Sequence, residues 1–185
     1  ALARAAGDDL LQYKAMTNLG WTHLCRADYA AAASLFGEAH TLAQRLQHIK
    51  GIAVSQINLG WIEYYTGAPQ RAQMLAQQGL RLCCRLDERE LMAECLELLA
   101  VVTTVNGDAR RAAMLSGGAD ALRAALHLIR PTAHHAAVTL AAAQVAIRQQ
   151  LEAASFEAAW NTGSGLRLET LVVFALDCGH ATVHS

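Results

Sequence analysis

The stretch Asn18-Leu19-Gly20-Trp21 decides the fold, because it recurs forty residues later as Asn58-Leu59-Gly60-Trp61. Adding forty again gives Leu98-Leu99-Ala100-Val101, which keeps a small residue at the Gly position. Other small or apolar residues follow the same offset: Ala32, Ala72 and Ala112; Ala39, Gly79 and Ala119; and Leu2, Leu42, Leu82 and Leu122. Self-similarity at a fixed period of this length is the sequence signature of a repeat array.

Each forty-residue unit predicts two helices. Turn-forming residues separate apolar runs of helical spacing: Arg26-Ala27-Asp28, Thr66-Gly67-Ala68-Pro69 and Asn106-Gly107-Asp108. The first helix of each unit (helix A) is predicted over 10–26, 52–66 and 89–106, and the second (helix B) over 29–46, 70–86 and 109–126. Small side chains at the repeated Gly and Ala positions allow helices A and B to approach closely.

The composition agrees with an all-α chain. The 185 residues are 54% hydrophobic but only 5% aromatic, and Ala and Leu, which are strong helix formers, account for most of the apolar content. Strand-favouring residues are scarce, which argues against a sandwich, a barrel or a Rossmann sheet. A formal net charge of −1 argues against a nucleic-acid-binding domain, since such domains normally carry a basic stripe.

The last third predicts capping helices. Pro131 is suited to the first turn of a helix over 131–150, which would pack its Val138, Ala142, Val145 and Leu151 side. A short helix carries Phe156 and Trp160 on one face, 161–165 is predicted as a cap and loop, and a last helix covers 167–177. We therefore divide the chain into helical repeats over 1–126, capping helices of the same domain over 127–177 and a tail over 178–185.

The repeat resembles the tetratricopeptide repeat (TPR). Shared features are the Leu-Gly pair in helix A, the Gly-Asp type of turn, the Ala early in helix B and a second small residue seven positions later. The usual TPR unit has about 34 residues, so this one is longer. The resemblance covers about residues 1–126 and implies an α-solenoid of antiparallel helix pairs.

A second resemblance concerns residues 96–177. The run NGDARRAAMLSGGADALR from Asn106 to Arg123, and the run LEAASFEAAW from Leu151 to Trp160 followed by Gly163, are similar to the C-terminal helical region of large bacterial transcription regulators. These are STAND-class ATPases of actinobacterial type with LuxR-family or related DNA-binding domains. The resemblance implies a regulatory region whose ATPase and DNA-binding domains lie outside residues 1–185. The start of the sequence, which lacks Met, agrees with a piece of a longer protein.

The sequence offers little for catalysis, cofactors or metals. It contains no GxxxxGK[ST] motif and no HExxH motif, and the adjacent His134 and His135 would point apart on a helix. The five Cys residues form no CxxC pair, so we expect reduced thiols that serve as small buried residues in a cytoplasmic protein. We therefore predict no catalytic residue, no cofactor and no metal site.

The best candidate for a functional site is the groove that helix A lines in TPR proteins. The repeat register places eight residues there: Lys14, Thr17, Asn18, Trp21, Asn58, Trp61, Tyr64 and Tyr65. We call these eight positions the candidate groove. Glu94 and Glu97 occupy the third unit, so the basic clamp for a peptide carboxylate is largely missing. The alternative is that Trp21 and Trp61 pack between neighbouring units.

Two functions agree with these features. The first is a non-catalytic regulatory module that senses an effector or a protein partner and relays that state to ATPase and DNA-binding domains. The second is a stand-alone TPR scaffold or peptide-binding adaptor that uses the same groove. Neither requires direct contact with nucleic acid or a membrane. Because an array cut from its neighbours exposes apolar ends, a homodimer of the chain is also expected.

Overall fold

The computed structural model describes residues 8–128 and 135–177. Within these ranges the chain forms nine helices and no strand, which confirms the all-α prediction. The helices are α1 Asp9–Cys25, α2 Tyr29–Arg45, α3 Ile49–Tyr65, α4 Pro69–Leu86, α5 Arg89–Val105, α6 Ala109–Ala125, α7 His135–Gln150, α8 Ala153–Gly165 and α9 Leu168–Leu176. The predictions for residues 1–7, for Pro131, for His134 and for the tail 178–185 lie outside the described residues.

The first six helices form three successive pairs, and each helix packs on the next one along the chain. Helices α1, α3 and α5 are the predicted A helices, and α2, α4 and α6 are the predicted B helices. Every predicted end lies within three residues of the observed one. The architecture is therefore a TPR-like helical-repeat solenoid, as predicted.

The backbone repeats with the same period as the sequence. Each turn within a pair contains one residue of positive φ, and the positions are Ala27 (57°), Gly67 (84°) and Gly107 (84°). Each turn that follows a pair also contains one, and the positions are Gln47 (52°), Asp87 (51°) and His127 (53°). Residues other than Gly adopt this conformation at a cost, so its recurrence every forty residues shows that the same chain reversal is imposed each time.

Small residues bring the helices of a pair together, as the repeat predicts. A Cβ on Gly60 would lie 3.5 Å from the carbonyl oxygen of Ala72 on the paired helix and 2.7 Å from the Leu98 side chain. A Cβ on Gly20 would lie only 2.5 Å from the ring of Phe36. Larger side chains at these positions would push the helices apart.

Helix α5 lies at the centre of the core. Every residue from Leu96 to Thr104 is buried, so this helix has neighbours all around it. Helices α3, α4, α6 and α7 all contact it. None of the helices in the described ranges is both long and apolar enough to cross a membrane.

Two predictions for the C-terminal third are wrong. Residues 161–165 do not form a loop but complete helix α8, because Gly163 and Gly117 let the α8 and α6 backbones touch. The side of α7 that carries Val138 and Val145 does not pack against the core, since these two residues are 66% and 57% exposed. Helix α7 buries Ala136, Leu140 and Ile147 instead, since the larger Leu and Ile gain more from burial than Val and Ala.

Helix α9 packs as predicted and is tied to the repeats by polar contacts. Leu171 and Ala175 are buried. The Nε2 amide of Gln77 on α4 donates to the carbonyl oxygen of Ala175 at 3.2 Å. The guanidinium of Arg111 on α6 donates to the carbonyl oxygens of Phe174 and Asp177 and lies over the Phe174 ring, 4.4 Å from its centroid. These contacts place a cation at the carboxyl end of α9, where it is favoured.

Candidate functional site

The first unit presents its candidate groove residues on α1. Lys14 and Asn18 are exposed, whereas Thr17 and Trp21 are partly buried. The Thr17 hydroxyl donates to the carbonyl oxygen of Tyr13 at 3.0 Å, and the Trp21 ring packs edge-on against Phe36 of α2 with the centroids 6.1 Å apart. Lys14 and Asn18 are thus the side chains of this unit that a partner can reach most easily, and their role as contacts stays a prediction.

The second unit places its candidate groove residues much deeper. Asn58 and Trp61 on α3 are only 1% and 3% exposed. The Asn58 Nδ2 amide is buried without a hydrogen-bond partner among the described residues, an arrangement that is uncommon in folded proteins. Both residues therefore belong to the interior of this structure, which agrees with the packing alternative for Trp61.

Trp61 is part of an aromatic cluster, which we define as Tyr29, Trp61, Tyr64 and Tyr65. The Tyr65 ring stacks on Trp61 with centroids 5.8 Å apart and on Tyr29 with centroids 5.4 Å apart. Tyr64 meets Trp61 edge-on at 6.2 Å. Burial raises the pKa of Tyr64 and, more strongly, that of Tyr65, so both phenols stay neutral.

Helix α7 reaches the aromatic cluster from the C-terminal part of the chain. The hydroxyls of Tyr65 and Thr139 are hydrogen-bonded at 2.9 Å. Ala136 and Leu140 belong to the same buried core as Trp61. Part of the candidate groove is therefore covered by the chain's own helix. The sequence analysis missed this contact, and no local sequence signal specifies it.

The third unit contains a buried ion pair. Glu97 is 3% exposed, and both of its carboxylate oxygens accept from Arg123 of α6, one of them at 3.0 Å from Nη2. Burial lowers the pKa of Arg123, but Glu97 and the nearby Glu94 and Glu90 together raise it above its usual value. The sequence analysis placed Glu97 correctly in the third unit but missed Arg123 as its partner.

Glu94, one turn before Glu97 on α5, has a raised pKa. Burial raises its pKa from 4.5 to about 7, and the charges of Glu97 and Glu90 act in the same direction. The positive charge of Arg123 opposes this shift. The third unit consequently offers less negative charge near neutral pH than its two Glu residues suggest.

The other possible metal ligands and thiols of the described residues lie on several helices. In residues 8–128 and 135–177, no group of three His, Cys, Asp or Glu side chains is placed to hold a metal ion. Cys83 and Cys95 are fully buried, and burial raises the pKa of the Cys95 and Cys84 thiols, which keeps them in the unreactive thiol form. Cys83 and Cys95 thus pack as small apolar residues, as predicted, whereas Cys84 is only partly buried. The prediction of burial is wrong for Cys25, which is exposed at the end of α1, and Cys178 lies outside the described residues.

Comparison with known proteins agrees with this geometry. A tetratricopeptide repeat family model matches residues 14–46, which contain most of α1 and all of α2. The chain contains a TPR-like region. No curated protein and no solved structure matches the chain. The TPR match lies on the unit where Lys14 and Asn18 are exposed, and TPR repeats generally mediate contacts between proteins.

Proposed function

We propose that this chain is a non-catalytic, regulatory protein-interaction module of a multidomain transcription regulator in the cytoplasm. The observation that carries the interaction role is the TPR-like repeat, both in the match over residues 14–46 and in the forty-residue recurrence of backbone and sequence. The module would sense a protein partner or a small effector and relay that state to neighbouring ATPase and DNA-binding domains.

The regulator context is supported by how the two resembling segments pack. The first segment forms α6 and the second forms α8, and the two helices touch through Gly117 and Gly163. A Cβ on Gly117 would lie 2.3 Å from the carbonyl oxygen of Trp160. The residues that carry the resemblance thus form one packing unit, as we expect if the resemblance reflects a common helical architecture.

The full-length gene tests the regulator context. We expect it to encode a P-loop ATPase and a DNA-binding domain in addition to this array. A gene that encodes neither would overturn the proposal and leave the stand-alone TPR scaffold or peptide-binding adaptor.

A turnover assay with and without a chelator tests the non-catalytic assignment, for which we expect no metal-dependent activity.

The interaction surface is tested on the exposed part of the candidate groove. The tagged chain captures partners from cells, and each captured protein is then purified and titrated against Lys14→Glu and Asn18→Ala variants. Both residues are exposed, so the variants should keep the wild-type circular dichroism spectrum. We expect binding to weaken about tenfold, whereas Gln44→Ala on exposed α2 surface leaves it unchanged. Equal binding by all variants would move the site elsewhere.

The predicted homodimer has a candidate surface at the N-terminal end. Leu10, Leu11 and Leu19 on α1 are between 42% and 49% exposed. Sedimentation over a concentration series should show an increase in mass with concentration, and Leu11→Glu should abolish it. A constant monomer mass would rule the dimer out.

A further inference from the structure

We propose that α7 is a displaceable cover on the aromatic cluster and α5, and that the surface beneath it takes an amphipathic helix of a partner protein. This inference rests on the proposed protein-interaction function and deepens it, because it names the surface and the class of partner. The partner helix would present the pattern that α7 itself buries.

The first step is that α7 packs on residues that the repeat register assigns to a binding surface. Thr139 is hydrogen-bonded to Tyr65, and Ala136 and Leu140 share a buried core with Trp61. Tyr65 and Trp61 are both candidate groove residues. The structure therefore already shows a helix seated on this surface, and that helix comes from the same chain.

The second step is that α7 is held more weakly than the repeat helices. Its buried apolar residues are Ala136, Leu140 and Ile147, whereas α5 buries every residue from Leu96 to Thr104. Its opposite side exposes Val138 and Val145. Segments with few buried apolar side chains open locally at a small fraction of the cost of global unfolding. Among the helices that contact α5, α7 thus buries the fewest apolar side chains and is the one best suited to move.

The third step concerns the chemistry of the replacing segment. The inward residues of α7 are Ala136, Leu140, Ala143 and Ile147, which follow a helical spacing of i, i+4, i+7 and i+11. Helix α7 contains no Asp, Glu or Lys, and its Arg148 lies in the last turn, where it pairs with the exposed Glu157 of α8 at 3.1 Å. The part of the surface next to Trp61 and Tyr65 therefore requires no charge from the occupant. A helix with small and branched apolar residues at this spacing, and a hydroxyl next to the second of them, satisfies the same contacts.

The experiment uses the full 185-residue chain and a labelled peptide with the sequence of residues 135–150, followed by fluorescence anisotropy. Peptide binding requires that the chain's own α7 leave its seat, so the measured affinity is reduced by the fraction of open molecules. Leu140→Ala in the protein weakens the seat of α7, and we expect the peptide to bind this variant about tenfold tighter or more. Val145→Ala on the exposed side of α7 is the matched control and should leave the affinity at the wild-type value.

Two results would overturn the proposal. One is a folded Leu140→Ala chain that binds the peptide no more tightly than the Val145→Ala chain. The other is a peptide carrying Leu140→Ala that binds as well as the wild-type peptide, since binding would then not use this seat. If Leu140→Ala disturbs the fold, Thr139→Val replaces it, with an expected gain of about threefold, and no gain would again overturn the proposal.

Hydrogen exchange on the wild-type chain provides an independent measurement. Amides of α7 should exchange at least tenfold faster than those of α5, and equal protection of the two helices would contradict a displaceable cover. The peptide assay needs no natural partner, so its outcome is separate from the proposed function. If the peptide assay fails, an interaction role at Lys14 and Asn18 is still possible. If the peptide assay succeeds but the capture experiment finds no partner in cells, only the proposed function is contradicted.

Discussion

Replacing Gly163 by Ala tests the contact that holds the capping helices on the repeats. A Cβ at this position would lie 1.9 Å from the carbonyl oxygen of Met114 and 2.6 Å from its carbonyl carbon. Carbon–oxygen contacts of this kind normally measure about 3.3–3.6 Å, so the helices would have to separate by about 1.4 Å. The atoms that clash belong to the α6 backbone, so a side-chain rotation cannot relieve the contact.

The free energy of unfolding should fall by about 2 kcal/mol or more. Inserting a methyl group into a well-packed contact typically costs about 1–3 kcal/mol, and this site is at the upper end because both partners are helix backbones. Separation of α6 and α8 would also loosen Phe156 and Ala159, which are 1% and 3% exposed. The higher helix propensity of Ala returns at most about 1 kcal/mol.

The measurement is urea unfolding of the Gly163→Ala chain, followed by circular dichroism and by Trp fluorescence. Gly165→Ala is the matched control, because it lies in the same helix and a Cβ there would meet nothing within 4 Å. We expect the control to stay within about 1 kcal/mol of the wild type. Equal stability of the two variants would refute the backbone contact between α6 and α8.

Three further predictions concern the repeats. Glu97→Ala should cost about 3 kcal/mol in chemical unfolding, because it leaves the Arg123 side chain, which is only 14% exposed, without its carboxylate partner. Glu157→Ala in an exposed ion pair should cost less than about 1 kcal/mol. The pKa of Glu94 is about 7 instead of 4.5, so the folded state holds an extra proton between these values and the melting temperature should fall as the pH rises through this window. Glu94→Gln should remove that slope, and an unchanged slope would refute the assignment. Gly37→Ala in α2 meets nothing within 4 Å and should raise stability by up to about 1 kcal/mol, as thermal melting would show.

The repeat architecture could be predicted from the sequence because its determinants are local and recur. Small residues such as Gly60 and Ala72 lie where helices A and B touch, and Gly67 and Gly107 mark the turns. Helix ends follow from these turn residues, so the predicted bounds were close. The C-terminal third lacks a second copy for comparison, and Gly163 therefore gave the same signal as a loop glycine although it marks a helix contact.

Burial at the candidate groove could not be predicted, because it depends on contacts distant in sequence. Helix α7 has apolar residues on two sides, and periodicity does not decide whether Leu140 or Val145 faces the core. That choice determines whether Tyr65 meets solvent or Thr139. The Glu97–Arg123 pair is similarly hidden, since its partners are far apart in sequence and neither belongs to a recognisable motif.

The two copies of the Asn-Leu-Gly-Trp motif show what a repeat specifies and what it leaves open. Trp21 is partly buried against α2, whereas the equivalent Trp61 is 3% exposed. The local helix geometry is shared, so the difference comes from α5 and α7, whose core includes Trp61. Repetition therefore fixes the solenoid, but the properties of its surface arise where the repetition breaks, at the exposed Lys14 and Asn18, at the buried Glu97 and under α7. A partner that recognises this chain must read those differences, because even a repeated residue such as Asn18 is exposed in one unit while its equivalent Asn58 is buried in the next.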